Sequence, residues 1–91
     1  MFVVVTYDIA DPKRLNRVHR LLKDYGVPVQ YSVFECDLDW GKIDEMLLRL
    51  KAEMDMDEDA LLVYPVCQEC RRKVQICGQG EIWVDRDWWI Y

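Results

Sequence analysis

A chain of 91 residues has room for one domain, and a domain of that size hides only about 60 to 65% of the surface its unfolded form would expose. With 52% hydrophobic residues, four Trp and five Tyr, it carries more large apolar area than so small a core readily hides, so a partner surface is expected, most simply a homodimer. No apolar run approaches about 20 residues and neither a leader pattern nor a low-complexity tract is seen, which excludes a membrane-spanning helix and sets the expectation of a soluble, cytoplasmic protein.

The net charge of −5 is unfavourable for binding nucleic acid, but Glu53, Asp55, Asp57, Glu58 and Asp59 together account for it. The rest of the chain is balanced, so the distribution of charge says more than its total.

Residues 2–8 (FVVVTYD) read as a buried central strand, with Asp8 emerging at its carboxyl end, where sites in α/β-type sheets tend to lie. Asp11 then caps a helix that has Pro12 at its first position, where the missing N–H costs nothing. On that helix Leu15, Val18, Leu22 and Tyr25 recur on one face. Lys13, Arg17 and Arg20 line the opposite face, Arg14 and Lys23 lie on its flanks, and Gly26 is expected to end it.

Residues 27–38 (VPVQYSVFECDL) alternate as a strand does, and either one long strand or two short strands joined at a kink accounts for the pattern. A second helix is expected over 39–54, with Trp40, Ile43, Met46, Leu47, Leu50 and Met54 on its buried face. The acidic segment to Asp59 reads as a solvated turn, and residues 60–65 as a buried strand closed by Pro65. Residues 67–73 form a turn or a single helical turn, residues 74–77 a short strand, and an apolar tail follows a turn at Gly78 and Gly80.

This order predicts an α+β, ferredoxin-like βαββαβ fold with an extra C-terminal strand. Residues 1–77 make the domain, and residues 78–91 a strand or tail that packs on, or swaps with, the dimer partner.

A carboxylate at the end of a Val-rich strand is costly to bury unless a cation or several donors meet it, which makes Asp8 the leading candidate for chemistry. It reads either as a metal ligand or as a turn acceptor for the N–H groups near Ala10 and Pro12. One acid per chain is too few for a nuclease metal cluster. A symmetry mate across a dimer axis supplies a second, and a hydrated Mg²⁺, which uses one or two carboxylates, fits between them. Lys13, Arg14, Arg17 and Arg20 are candidates for sequence-independent phosphate contacts, against the plain reading of a solvated helix face.

His19 borders the apolar stripe and reads first as a boundary residue, although its ordinary pKa of about 6.5 suits proton transfer. Ser32 has no visible partnering His, so packing or a backbone hydrogen bond is expected of it before nucleophilic catalysis. Tyr7 and Phe34 read as core or interface, with base stacking as the alternative. Cys67 and Cys70 have the spacing of half a zinc site with no second pair following, so reduced thiols are expected of the four cysteines.

The segments VVVTYDIADPKRLNRVHRLLKDYG, VQYSVFECDL and YPVCQECRRKVQICGQGEI together resemble the small CRISPR-associated protein of the adaptation module, the Cas-two family. The resemblance implies a homodimeric ferredoxin-like fold with Mg²⁺ shared across the dimer axis and a site centred on Asp8. It implies a metal-dependent endonuclease for single-stranded RNA or double-stranded DNA, and a bridge between dimers of the Cas-one integrase during spacer acquisition. Tyr7, Arg14, Arg17, Ser32 and Phe34 match positions associated with the site. On this reading Asp8, Tyr7 and Ser32 are catalytic, Asp8 holds the metal, and Lys13, Arg14, Arg17, Arg20 and Phe34 contact nucleic acid. The acidic segment and the Trp-rich tail depart from the family pattern. Two competing readings are a non-catalytic dimeric DNA-bridging scaffold and a small-molecule or metal-sensing module built on Cys67 and Cys70.

Overall fold

A computed structural model describes residues 1–73 as two helices packed on one face of a four-stranded antiparallel sheet. The elements run β1 (Phe2–Asp8), α1 (Pro12–Leu22), β2 (Gly26–Gln30), β3 (Val33–Asp37), α2 (Trp40–Glu53), β4 (Ala60–Val66) and a short α3 (Gln68–Arg72). The sheet order β2-β3-β1-β4 is that of the expected ferredoxin-like plan. The expected strand at 74–77 and the tail at 78–91 lie outside the described residues.

β1 is central, paired with β3 from Phe2 to Thr6 and with β4 along its whole length. Its side chains alternate as a pleated strand requires: Val3, Val5 and Tyr7 are buried toward the helices, and Asp8 belongs to the other face. Phe34 and Cys36 of β3, Val18 and Leu22 of α1, and Ile43, Met46 and Leu50 of α2 complete one core. Each of these large side chains contributes about 1.5–3 kcal/mol when taken from water.

Helix α1 begins as the sequence dictates. The Asp11 carboxylate accepts the Arg14 backbone N–H at 2.9 Å and Pro12 occupies the first turn. It ends earlier than expected, at Leu22, because Asp24 and Tyr25 turn the chain through backbone N–H bonds to Leu21 and Leu22, both at 3.0 Å. Gly26 therefore opens β2 instead of closing α1. A side chain there would collide with the Glu35 carbonyl oxygen and come within 2.5 Å of Cys36 Sγ, so the close approach of β2 to β3 requires glycine.

The open question over residues 27–38 resolves as two strands. Tyr31 and Ser32 form a two-residue turn between Gln30 and Val33, with a register irregularity between Pro28 and Gln30. Ser32 has φ 62°, the left-handed slot that Gly or Asn normally fills, which is why no turn signal showed in the sequence.

Asp39 caps α2 through the Lys42 N–H at 2.8 Å, and the buried stripe starts at Ile43. Trp40, expected on that stripe, is the helix's first residue, stands a turn before the stripe begins, and is 61% exposed. β4 likewise departs from expectation. It continues past Pro65 to Val66 and only Leu61 and Val63 pack on the core, while Leu62 and Tyr64 stand out on the far face. Among the described strands β4 is an outer one, where a proline without an N–H is tolerated.

Candidate functional site

Asp8 is exposed and sits opposite Ala60 at the end of the β1–β4 ladder. The turn-acceptor reading needs N–H groups near Ala10 and Pro12, and two N–H groups of this segment are taken by other acids. The Ala10 N–H donates to Asp59 Oδ1 at 3.0 Å and the Arg14 N–H to Asp11 at 2.9 Å. Among the described residues no donor reaches the Asp8 carboxylate, so it has no capping or pairing duty. A hard, hydrated cation fits such a group: Mg²⁺ keeps most of its waters and needs one or two carboxylate oxygens. No group of three His, Cys, Asp or Glu side chains able to hold a metal exists among the described residues, so Asp8 is the lone carboxylate offered to a cation at this strand end among them.

The acidic segment is a turn with residues 56–58 exposed, as expected, but Asp59 at its end is not solvated. The Asp59 side chain is fully covered and accepts four hydrogen bonds: Arg14 Nε at 2.9 Å, an Arg14 terminal nitrogen at 3.2 Å, the Ala10 N–H at 3.0 Å and the Asp55 N–H at 2.8 Å. Glu58 adds a second contact to Arg14 at 3.2 Å, and Glu53 pairs with Arg17 at 2.9 Å. The excess negative charge is thus spent partly on α1. The Arg14 guanidinium holds the Asp59 carboxyl well below the usual carboxylate range, with the two backbone N–H bonds adding to the effect, and is itself held protonated more firmly than usual.

Because the folded Asp59 carboxyl titrates below its unfolded value of about 3.9, its contribution to stability is fully present above that pH. It drains away as pH falls toward the folded value. Asp59→Asn is therefore expected to lower the melting temperature at neutral pH by several degrees. The gap between parent and variant should close in thermal melts taken below about pH 4. A gap that widens on acidification would contradict this assignment.

Of the four cations expected to meet phosphate, Arg14 and Arg17 are thus engaged by acids, whereas Lys13 and Arg20 are exposed and make no ion pair among the described residues. Arg20 borders a shallow depression shared with Arg17, Asp24, Arg49 and Glu53.

On the helix side of β1 lies a cavity of about 200 Å³ lined by Tyr7, Leu15, Asn16, His19, Tyr31 and Ser32. The Tyr7 hydroxyl and His19 Nδ1 share a hydrogen bond of 3.0 Å, and the Tyr7 N–H donates to the Ser32 carbonyl at 3.1 Å. The His19 ring stands edge-on to Phe34, centroids 5.1 Å apart. Burial, then the charge of Lys23, holds the His19 imidazole below its ordinary pKa, and burial, then Tyr31, pushes the Tyr7 phenol up. At neutral pH the pair is an uncharged imidazole and an intact phenol, able to exchange a hydrogen bond with a polar ligand but not to bind phosphate by charge.

The residues expected to act together divide between two faces. Tyr7 and Ser32 line the cavity, while Asp8 lies across the pleat from Tyr7, so the three do not converge within one protomer. Phe34 is 0% exposed, which corrects its reading as a nucleic-acid contact: it is the floor beneath Tyr7 and His19. Asn16, His19 and Tyr31 are the residues that sequence reasoning did not assign to a site. His19 carried a signal in a pKa suited to proton transfer and Asn16 only its helical spacing beside Leu15 and His19, while Tyr31 arrives through a hairpin the sequence left open.

No helix of the described residues is long and apolar enough to cross a membrane.

The family described as CRISPR associated protein Cas2 matches residues 1–74. The "CRISPR-associated endoribonuclease Cas2 3" of a Synechocystis strain is 41% identical over 76 residues, covering 84% of this chain and 83% of that protein. The "CRISPR-associated endonuclease Cas2 2" of Thermus thermophilus is 40% identical over 78 residues, covering 86% and 82%. Among solved structures, Streptococcus pyogenes Cas2 at pH 6.5 superposes with a TM-score of 0.80 at 36% identity, covering 86% of this chain and all of that one. A family match over four-fifths of the length, relatives at this identity and a shared architecture lead to one conclusion: the chain belongs to the CRISPR-associated protein Cas2 family.

Proposed function

We propose that two copies of this chain form a Mg²⁺-dependent endonuclease that hydrolyses phosphodiester bonds in single-stranded RNA or double-stranded DNA. It works in the cytoplasm within the spacer-acquisition machinery, beside the Cas-one integrase. The observation that carries this reading is the Asp8 carboxylate, exposed at the end of the central strand with no structural partner among the described residues. The names of the relatives, endoribonuclease and endonuclease, support the reaction class.

The dimer is supported by the sheet face away from the helices, where Leu62 and Tyr64 are 54% and 50% exposed on the strand next to Asp8. A two-fold axis near that face brings Asp8 toward its mate, and the two carboxylates would hold the cation. When bound there, Mg²⁺ supplies positive charge for the phosphate oxygens and lowers the pKa of water. Lys13 and Arg20 hold the polynucleotide by its phosphates, without reading sequence.

A second reading, a non-catalytic DNA-bridging scaffold, is favoured by the sparse clustering of acids: phosphoryl transfer generally needs several charges around the reacting group, and no group of three potential metal ligands exists among the described residues.

Cleavage and binding assays on one preparation separate the two. Under the nuclease reading, chelating Mg²⁺ stops cleavage of RNA or duplex DNA and leaves binding in place. The double variant Lys13→Glu, Arg20→Glu should weaken both, and flatten the salt dependence by about 0.9 per lost phosphate contact on duplex. Undiminished cleavage in chelator refutes the metal. Tight duplex binding with no cleavage at any Mg²⁺ concentration selects the scaffold.

A further inference from the structure

The described residues hold three free cysteines in two chemical settings. Cys36 is buried in the core, and burial, then the charge of Glu35, pushes its thiol up to about 11, which leaves it a poor nucleophile. Cys67 and Cys70 are both exposed, three residues apart where the chain leaves β4. The Cys70 backbone N–H donates to Cys67 Sγ at 3.3 Å, which folds the Cys67 side chain over the turn that carries Cys70. No third ligand completes a metal site with them among the described residues.

We propose that Cys67 and Cys70 form a reversible dithiol–disulfide site whose substrate is a low-molecular-weight disulfide, with Cys67 as the attacking thiolate and Cys70 as the resolving thiol. The roles follow from the direction of the hydrogen bond. The Cys70 N–H stabilises a negative Cys67 sulfur, which lowers its pKa. Cys70, next to that charge, keeps its proton more firmly.

The Cys67 thiolate attacks one sulfur of the disulfide, forming a mixed disulfide and releasing one thiolate, which takes up a proton. Cys70 then loses its proton to solvent and attacks Cys67 Sγ, closing the intramolecular disulfide and releasing the second thiolate. Two electrons pass from the cysteine pair to the incoming disulfide, which leaves as two thiols. Neither cysteine belongs to the core cluster, so closing the disulfide removes no side chain from the core.

The site is independent of Asp8, and its test needs no nuclease activity. Full-length protein is equilibrated with mixtures of reduced and oxidised glutathione, quenched by alkylation, and read by intact mass and peptide mapping. The expected product is a Cys67–Cys70 disulfide formed without a lasting adduct. Cys70→Ser should stop at one glutathione on Cys67, and Cys67→Ser should react about tenfold more slowly. Circular dichroism confirms that each variant folds. A dithiol that survives every glutathione ratio, a mapped bond from either residue to Cys77, an adduct on Cys36 in the Cys70→Ser protein, or stoichiometric zinc that blocks the reaction would each overturn the proposal.

Discussion

Asp8→Ala is expected to remove Mg²⁺-dependent cleavage while leaving the circular-dichroism spectrum and melting temperature unchanged. The two halves of this result rest on different observations. The fold is spared because the carboxylate is exposed and no described residue donates to it, and surface substitutions of that kind stay within about 0.5 kcal/mol. Activity is lost because the charge a bound cation offers the phosphate oxygens is worth several kcal/mol, and each 1.36 kcal/mol is tenfold in rate, so a loss on the order of a hundredfold or more is predicted. Asp8→Asn, which keeps the shape and removes the charge, should behave alike. The scaffold reading predicts a different pattern, in which neither variant changes spacer integration in the presence of the Cas-one integrase. Cleavage by Asp8→Ala at the parental rate would take Asp8 out of the mechanism.

What the sequence made legible was local. The alternation of Val3, Val5 and Tyr7, the caps Asp11 and Asp39, and the helical spacing of Val18, Leu22, Ile43, Met46 and Leu50 each declare themselves within a few residues. The turn at Tyr31 and Ser32 was hidden because a serine occupies the left-handed position, and a serine in an alternating run looks like strand. Asp59 was misread for a different reason. Its partners, Arg14 and the Ala10 N–H, lie some 45 and 49 residues away in the chain, and a run of acids with no neighbouring base reads as solvated.

That misreading changes how the basic helix is weighed. Four cations on α1 suggested a phosphate surface, but the shortest ion pairs among the described residues bind Arg14 to Asp59 and Arg17 to Glu53 and fasten α1 to the end of α2 and the segment after it. Arg49 does the same at the other end, donating to the Tyr25 hydroxyl at 2.9 Å and pairing with Asp24 at 3.2 Å. Charge reversal at Arg14 would therefore strike the fold before it reached nucleic acid. Lys13 and Arg20, free of such duties among the described residues, are the positions at which binding can be probed without confusing it with stability.

Phe34→Ala is expected to leave the protein largely unfolded or close to it. The ring is completely buried, one wall against Tyr7 at 6.2 Å between centroids and another against His19 at 5.1 Å. Truncating a buried Phe costs about 3–5 kcal/mol, and a domain has only about 5–15 kcal/mol in total. Urea titration should show the midpoint falling with little change in slope if a folded population survives. Any such population should also have a His19 that titrates closer to its ordinary value of about 6.5, since the opened floor readmits water to an imidazole whose pKa burial had lowered. Base stacking predicts the reverse outcome: affinity for single strands falls while the melting temperature holds. Because no part of the ring reaches solvent in the folded chain, loss of binding by this variant should follow its loss of structure, and in no buffer should it precede it.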